Sequence, residues 1–433
     1  MDILSILKEY IHQKFFRQFR TREKLEQYQE KQVQEHLQFV LKHSPFYRDY
    51  YQVTDETEIN NWRHLPMIEK TVMMEHFTSL NTVGMEREEA FSVALKAEQN
   101  RDFSPTINGV TIGLSSGTSG NRGLFIVSPT ERKRWAGVIL AKLLPANIWH
   151  RQKIAFFLRA NSNLYTTTQS NRIAFAFFDL LDSFTEHVER LNRLQPTILV
   201  APPSMLRFLA KSLREGELQI SPLKILSVAE VLDPMDEQFI QETFEQKVHQ
   251  VYQCTEGFLG CTCEHGTIHI NEELLIMEKE YLDDHKFIPI ITDFSRKAQP
   301  ILRYRLNDIL TERTSPCPCG SPMLAIEKIE GRSDDIFYFQ RGEKRVPLFP
   351  DFIRRTIISA SNEIEEYRVI QTTIDQIEIQ IKWKQKQEED KVRSALTKFF
   401  LGQDIKTPYL AFQDYDFQPG VRKLRRVESR IQW

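Results

Sequence analysis

Between residues 150 and 255 short apolar runs alternate with helical stretches, and this alternation limits the fold more than any other feature of the chain. KIAFFL (153–158), TILVAP (197–202), KILSV (224–228) and VHQVY (248–252) read as strands. Between them, 178–194, 203–215 and 233–246 read as helices, with Pro203 and Asp233-Pro234 as starts. Strands separated by whole helices make a parallel sheet with crossover connections. Such sheets bind ligands beyond the carboxyl ends of their strands, so the loops that follow these strands are where chemistry is expected. Past GRSDD at 331–335 the chain changes to EIEEYRVIQ, DQIEIQIKW and a charged helix near 386–400, the pattern of a small α+β domain. The expected fold is α/β: a large N-terminal domain over 1–330 with parallel-rich sheets and crossover helices, and a small C-terminal α+β domain over 336–433.

The 433 residues, 41% of them hydrophobic, suffice for two or three packed cores. No apolar run reaches the roughly 18 residues of a membrane helix. Residues 1–43 are rich in helix formers, with Leu25, Tyr28, Val33, Leu37, Val40 and Leu41 spaced as one apolar stripe, so they read as a long packing helix that ends at SPFYR (44–48). Glu23, Glu26, Glu30 and Glu35 dilute its basic residues and argue against a membrane-surface helix. Asp2, Lys8 and Glu9 interrupt the apolar start, which does not read as a secretory signal, and a cytoplasmic location is the default. A net charge of -2 offers no global basic field, so nucleic acid is not the expected partner.

Three short segments carry the chemical signal. LSSGTSGNRG (114–123) places four hydroxyl residues and three glycines between two β-like runs, and its backbone N–H groups and hydroxyls can cradle a polyphosphate; a flexible hairpin is the alternative. VYQCTEG (251–257) follows a strand; Thr255 offers a hydroxyl and Glu256 a hard oxygen ligand for magnesium, while Tyr252 can lie against a purine or pack as a core aromatic. In RYRLND (303–308), Asp308 can accept hydrogen bonds from both ribose hydroxyls, or simply join a local ion pair.

Taken in order, the Ser/Thr/Gly loop, Tyr-x-x-Thr-Glu, Tyr-Arg-x-x-Asp, Gly-Arg-x-Asp-Asp and a late lysine resemble the adenylate-forming superfamily of acyl-CoA synthetases and adenylation enzymes. SPFYR, LPMIEK, APPSML and AEVL resemble the branch holding phenylacetate-CoA ligase, CapK-like proteins and deazaflavin-coenzyme synthetases, from about residue 44 to the C-terminus. The resemblance implies that Ser115, Ser116, Gly117, Thr118, Ser119 and Gly120 hold the ATP phosphates, with Thr255 and Glu256 serving phosphates and magnesium. It further implies that Ala229, Glu230 and Tyr252 line the adenine pocket and that Asp308 binds ribose. Arg332 and Asp334, within 331–335, match the hinge about which the C-terminal domain turns, and Lys423 in PGVRKLRR stands where the adenylation lysine belongs. The chain departs from the pattern twice: Asn121-Arg122 replace the usual Pro-Lys after the loop, leaving Arg122 as the cation, and Leu306-Asn307 replace Thr-Gly before Asp308. Arg422, Arg425 and Arg426 crowd Lys423, and such a basic run ordinarily reads as a solvated face.

All five cysteines lie between residues 254 and 319. An odd count argues against a disulfide framework. Cys317-Pro-Cys319-Gly320 can present two thiolates to one ion, and Cys263 and His269 flank a turn at Gly266, which together make a closed tetrahedral zinc site. Similar cysteines in the resembled branch favour this set, with Cys261 and His265 as competing ligands and reduced, buried thiols as the alternative; Cys254 reads as a core residue.

The function implied by the resemblance is ATP- and magnesium-dependent conversion of a carboxylic acid, with an aryl acid as the analogy's candidate, to an acyl-AMP. Transfer to coenzyme A or a carrier-protein phosphopantetheine thiol follows. An adenylyl-transfer or amide-forming enzyme and an inactive zinc-stabilised binding protein are the alternatives. Trp135, Phe156 and Phe178 are candidates for the acid pocket, with core packing the competing role. A homodimer is the prior for assembly.

Overall fold

The computed structural model describes residues 3–53, 59–102, 104–115, 122–159, 162–417 and 423–431. The chain divides into two compact units, Met1–Leu306 with Thr311–Lys328, and Asn307–Leu310 with Ile329–Trp433.

The first unit is built on the parallel strands expected from the alternating pattern. Gln152–Leu158, Ile198–Ala201, Lys224–Ser227 and Val248–Gln253 lie side by side in parallel register. Helices Pro203–Arg214 and Pro234–Phe244 cross between them, both beginning with proline at the first turn. A further strand, Ile173–Asp179, occupies the edge beside Gln152–Leu158. It overlaps the expected helix at 178–194, which starts only at Phe184, because IAFAFFD pairs in parallel along the whole of Gln152–Leu158. Beyond Val248–Gln253 the sheet turns antiparallel through Phe258–Thr262 and Ile268–Ile270, giving a mixed sheet of twelve strands.

Period-two alternation divides the core. Ala155, Phe157, Leu199, Ala201 and Ile225 pack with Leu209 and Ile240 of the crossover helices. Phe156, Ile198, Val200 and Leu226 point to the opposite core with Ala136, Val138 and Leu140 of helix Pro129–Leu143. That helix begins in a capping box, Ser128 with Glu131. It takes the N-terminal segment against Gly137, where an added Cβ would lie 2.7 Å from Glu9 Cβ and 2.8 Å from the Ile6 carbonyl oxygen.

Residues 1–43 do not form one helix. A helix Ile3–Ile11 continues into a wide turn at His12–Phe16, and a second helix, Arg22–His43, starts from Thr21 as its cap. Its buried stripe is Leu25, Gln29, Val33, His36, Leu37 and Val40. Gln29 replaces the expected Tyr28 because its amide donates to the carbonyls of Glu272 at 3.0 Å and Leu275 at 3.1 Å. Ser44 closes this helix and caps the next, Pro45–Tyr51.

A separate antiparallel sheet of Thr106–Ile107, Val110–Leu114 and Leu124–Val127 carries the Ser/Thr/Gly loop between its last two strands. The second unit is α+β: strands Ile364–Thr373, Gln376–Trp383, Tyr409–Asp414 and Val427–Ser429 form one sheet, accompanied by helices Pro350–Ala360 and Glu389–Gly402. Among the described residues no helix is long and apolar enough to cross a membrane.

Candidate functional site

The Ser/Thr/Gly loop is tied shut at its base. Ser115 N–H donates to the Gly123 carbonyl at 2.8 Å, and Gly123 N–H donates to Ser115 Oγ at 2.7 Å. Ser116, Gly117, Thr118, Ser119 and Gly120 lie outside the described residues. Arg122 donates to the Ser115 carbonyl at 3.3 Å and pairs with Glu98 at 2.6 Å.

Thr255 and Glu256 follow strand Val248–Gln253 in a tight turn closed by Cys254 N–H on the Gly257 carbonyl at 3.1 Å. Glu256 is held at both oxygens, by the Thr255 hydroxyl at 2.9 Å and the Tyr304 hydroxyl at 2.9 Å, while Arg296 donates to its backbone carbonyl at 3.2 Å. Burial first, and then the adjacent Glu256 carboxylate, push the Tyr304 phenol well above its ordinary value, so it remains a donor. A Cβ on Gly257 would lie 2.9 Å from Asp293 Oδ2, so a larger residue there would have to displace that carboxylate.

These two segments meet in a cleft whose lining includes Gly123, Thr255, Glu256, Gln299, Tyr304 and Lys70. Lys70, the last residue of LPMIEK, has no role readable in the sequence alone. Ile68 forms a bridge to Tyr304, donating to the Arg303 carbonyl at 3.1 Å, which delivers helix Lys70–Glu75 to the cleft with Lys70 Nζ 3.4 Å from Ser115 Oγ. A Cβ on Gly123 would come within 3.0 Å of Lys70 Cε, so glycine there leaves the lysine its path. The available signal was the departure Asn121-Arg122, which leaves the loop without its usual lysine.

Ala229 and Glu230 lie in the loop after strand Lys224–Ser227, at the carboxyl edge of the sheet. Ala229 has φ +68°, a left-handed conformation that glycine adopts freely and alanine does not. Glu230 Oε2 accepts from Ser204 N–H at 3.4 Å. Tyr252 is buried at 6% exposure, opposite Gly260 on the next strand. None of these three lines the cleft.

The remaining candidate residues belong to the second unit. Asp308 opens strand Asp308–Glu312, with Asn307 accepting from Ser333 N–H at 2.7 Å. Arg332 lies 3.9 Å from exposed Asp334, next to the short turn Ser333–Asp335. Lys423 is half-buried. The basic run that follows it is not a solvated face, contrary to the ordinary reading. Arg425 pairs with Asp335, and Arg426, 6% exposed, donates to the Tyr367 carbonyl at 3.1 Å.

Cys263, His269, Cys317 and Cys319 converge, their ligand atoms all within 4.8 Å of one another. Cys263 and Cys317 sulfurs are 3.7 Å apart, and Cys319 Sγ is 3.3 Å from His269 Nε2. A tetrahedral zinc with Zn–S of about 2.3 Å spaces its sulfurs about 3.8 Å apart, so the donor set fits the ion. His269 Nδ1 faces the Met323 carbonyl at 3.2 Å, the outer contact that fixes a ligating imidazole. The competitors are engaged elsewhere: Cys261 is buried in the apolar core, and His265 sits 3.5 Å from Glu264. Burial opposes ionisation of Cys317, but hydrogen bonds from Thr267, the Cys319 backbone and His269 pull its thiol down to about 6.

Phe178 belongs to the core rather than to a pocket, stacking on Phe157 at 4.5 Å between ring centroids with 1% exposure. Phe156 likewise packs in the core, with Trp135 and Tyr165 against it; Tyr165 lies 5.7 Å from Trp135 and 4.6 Å from Phe156 between ring centroids.

No family model matches the sequence. Over 195 residues, 44% of the chain, it is 25% identical to protein CapK of Staphylococcus aureus, spanning 43% of that protein and so less than half its length. Over 393 residues, 83% of the chain, it is 20% identical to phenylacetate-coenzyme A ligase of Thermus thermophilus, spanning 82% of it. Among solved structures, 2-hydroxyisobutyryl-CoA ligase in the postadenylation state in complex with 2-HIB-AMP superposes with a TM-score of 0.70 at 16% identity, over 93% of this chain and 89% of that one. The chain thus has the fold of the adenylate-forming ligases. Its sequence is similar to those of phenylacetate-CoA ligase and CapK.

Proposed function

We propose that the protein is an ATP-dependent acid ligase that forms an acyl-AMP and passes the acyl group to the thiol of coenzyme A. The observation that carries the reading is the cleft in which Glu256 and Thr255 face the tied base of the Ser/Thr/Gly loop, with Lys70 alongside. An oxygen of the acid attacks the α-phosphorus of ATP, the bond to the bridging oxygen breaks, and pyrophosphate leaves. The thiolate sulfur of the acceptor then attacks the acyl carbon and AMP departs. Negative charge moves onto phosphoryl oxygens in the first step, so fixed cations and N–H donors are what this chain must contribute. Lys70 supplies a cation on one side of Ser115, while Arg122, held by Glu98, supplies one at the loop end. Lys423 is the adenylation lysine of this reading, and Asp308 the ribose acceptor. Thr255 and Glu256 would hold magnesium, which when bound neutralises phosphate charge and orients the leaving group.

The hinge at Arg332 and Asp334, a mobile C-terminal domain and adenine contacts by Ala229, Glu230 and Tyr252 belong to the same proposal. So does zinc at Cys263, His269, Cys317 and Cys319. Acid-dependent exchange of labelled pyrophosphate into ATP, run over a panel of aryl and alkyl acids, tests the reading. Exchange with at least one acid and loss of at least ~100-fold in Glu256→Gln are expected. Absence of exchange with every acid overturns it. Thioester formation measured with coenzyme A, a phosphopantetheinylated carrier protein and an amine then identifies the acceptor.

A further inference from the structure

We infer that Asp335 and Arg425 form a latch that positions Lys423, making both of them positioning residues for the adenylation step; the inference rests on the role proposed above for Lys423. Asp335 is 4% exposed and closes the turn Ser333–Asp335. Arg425 engages it with both arms of its guanidinium, Nε at 3.1 Å from Oδ2 and Nη2 on Oδ1. Ser429 N–H adds a contact to Oδ1 at 3.4 Å, and Arg425 also lies 3.9 Å from Asp334. A two-pronged charge-assisted pair fixes direction as well as distance, which a single lysine contact would not.

The residues after Arg425 are anchored independently. Arg426 lies over the Tyr367 ring at 5.1 Å and donates to the Tyr367 carbonyl, its own carbonyl accepts from Val369 N–H at 2.7 Å, and Val427–Ser429 pairs in parallel with Ile364–Thr373. Lys423 therefore stands two residues before this set of anchors, of which Arg425–Asp335 comes first in the chain. Because Asp335 is the residue after Asp334, the latch ties the lysine segment directly to the turn assigned as the hinge.

Asp335→Asn keeps the shape of the side chain and removes the charge. The expected result is a loss of at least tenfold in kcat for pyrophosphate exchange, with KM for ATP and acid within about twofold. Thioester formation from supplied acyl-AMP stays within about threefold. In a Lys423→Ala background the same substitution adds less than twofold, since a residue that acts through Lys423 has nothing left to position. Hydrogen exchange read at residues 423–425 of the full chain rises at least tenfold in Asp335→Asn, while Ile364–Thr373 keeps its protection. Unchanged exchange at 423–425 overturns the latch whatever the enzyme's activity. A multiplicative loss in the double variant, or equal loss of both half-reactions, overturns the positioning role. Absence of pyrophosphate exchange in the wild-type protein would instead count against the proposed function.

Discussion

His36 offers a stability test whose size follows from its surroundings. It is 3% exposed on the buried stripe of helix Arg22–His43, and among the described residues neither ring nitrogen has a hydrogen-bond partner. Burial first, then the nearby positive charges of Lys297 and Arg134, push its imidazole from 6.5 down to about 3. On acidification the unfolded chain takes up the proton before the folded one. The contribution of neutral His36 is thus complete above about pH 6.5 and is lost as pH falls toward 3. Each pH unit inside that window is worth about 1.4 kcal/mol, so between pH 7 and pH 5 this one group costs about 2 kcal/mol. His36→Leu removes the titration while keeping an apolar side chain in the slot, and it also removes two unsatisfied nitrogens, so its stability at pH 7 should match or exceed wild type. Urea unfolding at pH 7, 6 and 5, extrapolated linearly, gives the comparison. The wild type should lose about 2 kcal/mol more than His36→Leu across that range. Equal losses in the two proteins would mean that His36 is not held neutral by burial.

Lys423→Ala should lower pyrophosphate exchange at least ~100-fold while leaving thioester formation from supplied acyl-AMP nearly unchanged; equal loss in both assays would make Lys423 a structural residue. Cys317→Ser and Cys319→Ser should each lose the metal and lower thermal stability before they affect chemistry, as checked by metal analysis and melting curves, with one zinc per wild-type chain as the reference. Ala229→Gly should raise stability by about 0.5–1 kcal/mol, because relief of the φ +68° conformation outweighs the extra freedom of the unfolded glycine. A fall in the unfolding midpoint would show that the alanine methyl packs usefully there.

What the sequence revealed and what it withheld follow from how far apart the determining residues lie. Thr255 and Glu256 were legible because a strand, its tight turn and both oxygen donors are contiguous, and the structure sets them in a cleft with the loop base. Lys70 was not, because nothing in LPMIEK says that Ile68 will bridge to Tyr304 and carry the lysine to Ser115. The cysteines fall between these cases. Cys261 and Cys263 are two positions apart, and periodicity alone treats them alike. Strand Phe258–Thr262 ends between them, leaving Cys261 in the apolar core. Cys263 instead enters a turn where its N–H donates to the Thr267 carbonyl at 2.9 Å and Gly266 adopts φ +87°. That local change of path, rather than residue type, decides which thiol joins His269.

The basic run at 422–426 carries the same lesson into the proposed mechanism. Four cations within five residues have one appearance in sequence, and mutual repulsion would keep them all in solvent if nothing opposed it. The fold opposes it selectively. Asp335 takes Arg425 out of solvent, and the Tyr367 carbonyl and ring take Arg426, so these two guanidiniums are committed to holding the strand that follows. Burying an arginine is costly unless its donors are met, and both sites meet them with oxygen acceptors arranged before the run begins. The result is a division of labour within one segment: Arg425 and Arg426 fix the backbone, and the side chain two residues earlier is presented from it. If that division is correct, exchanging Arg425 for lysine should weaken adenylation even though charge is conserved, because one ammonium cannot hold both oxygens of Asp335 at once.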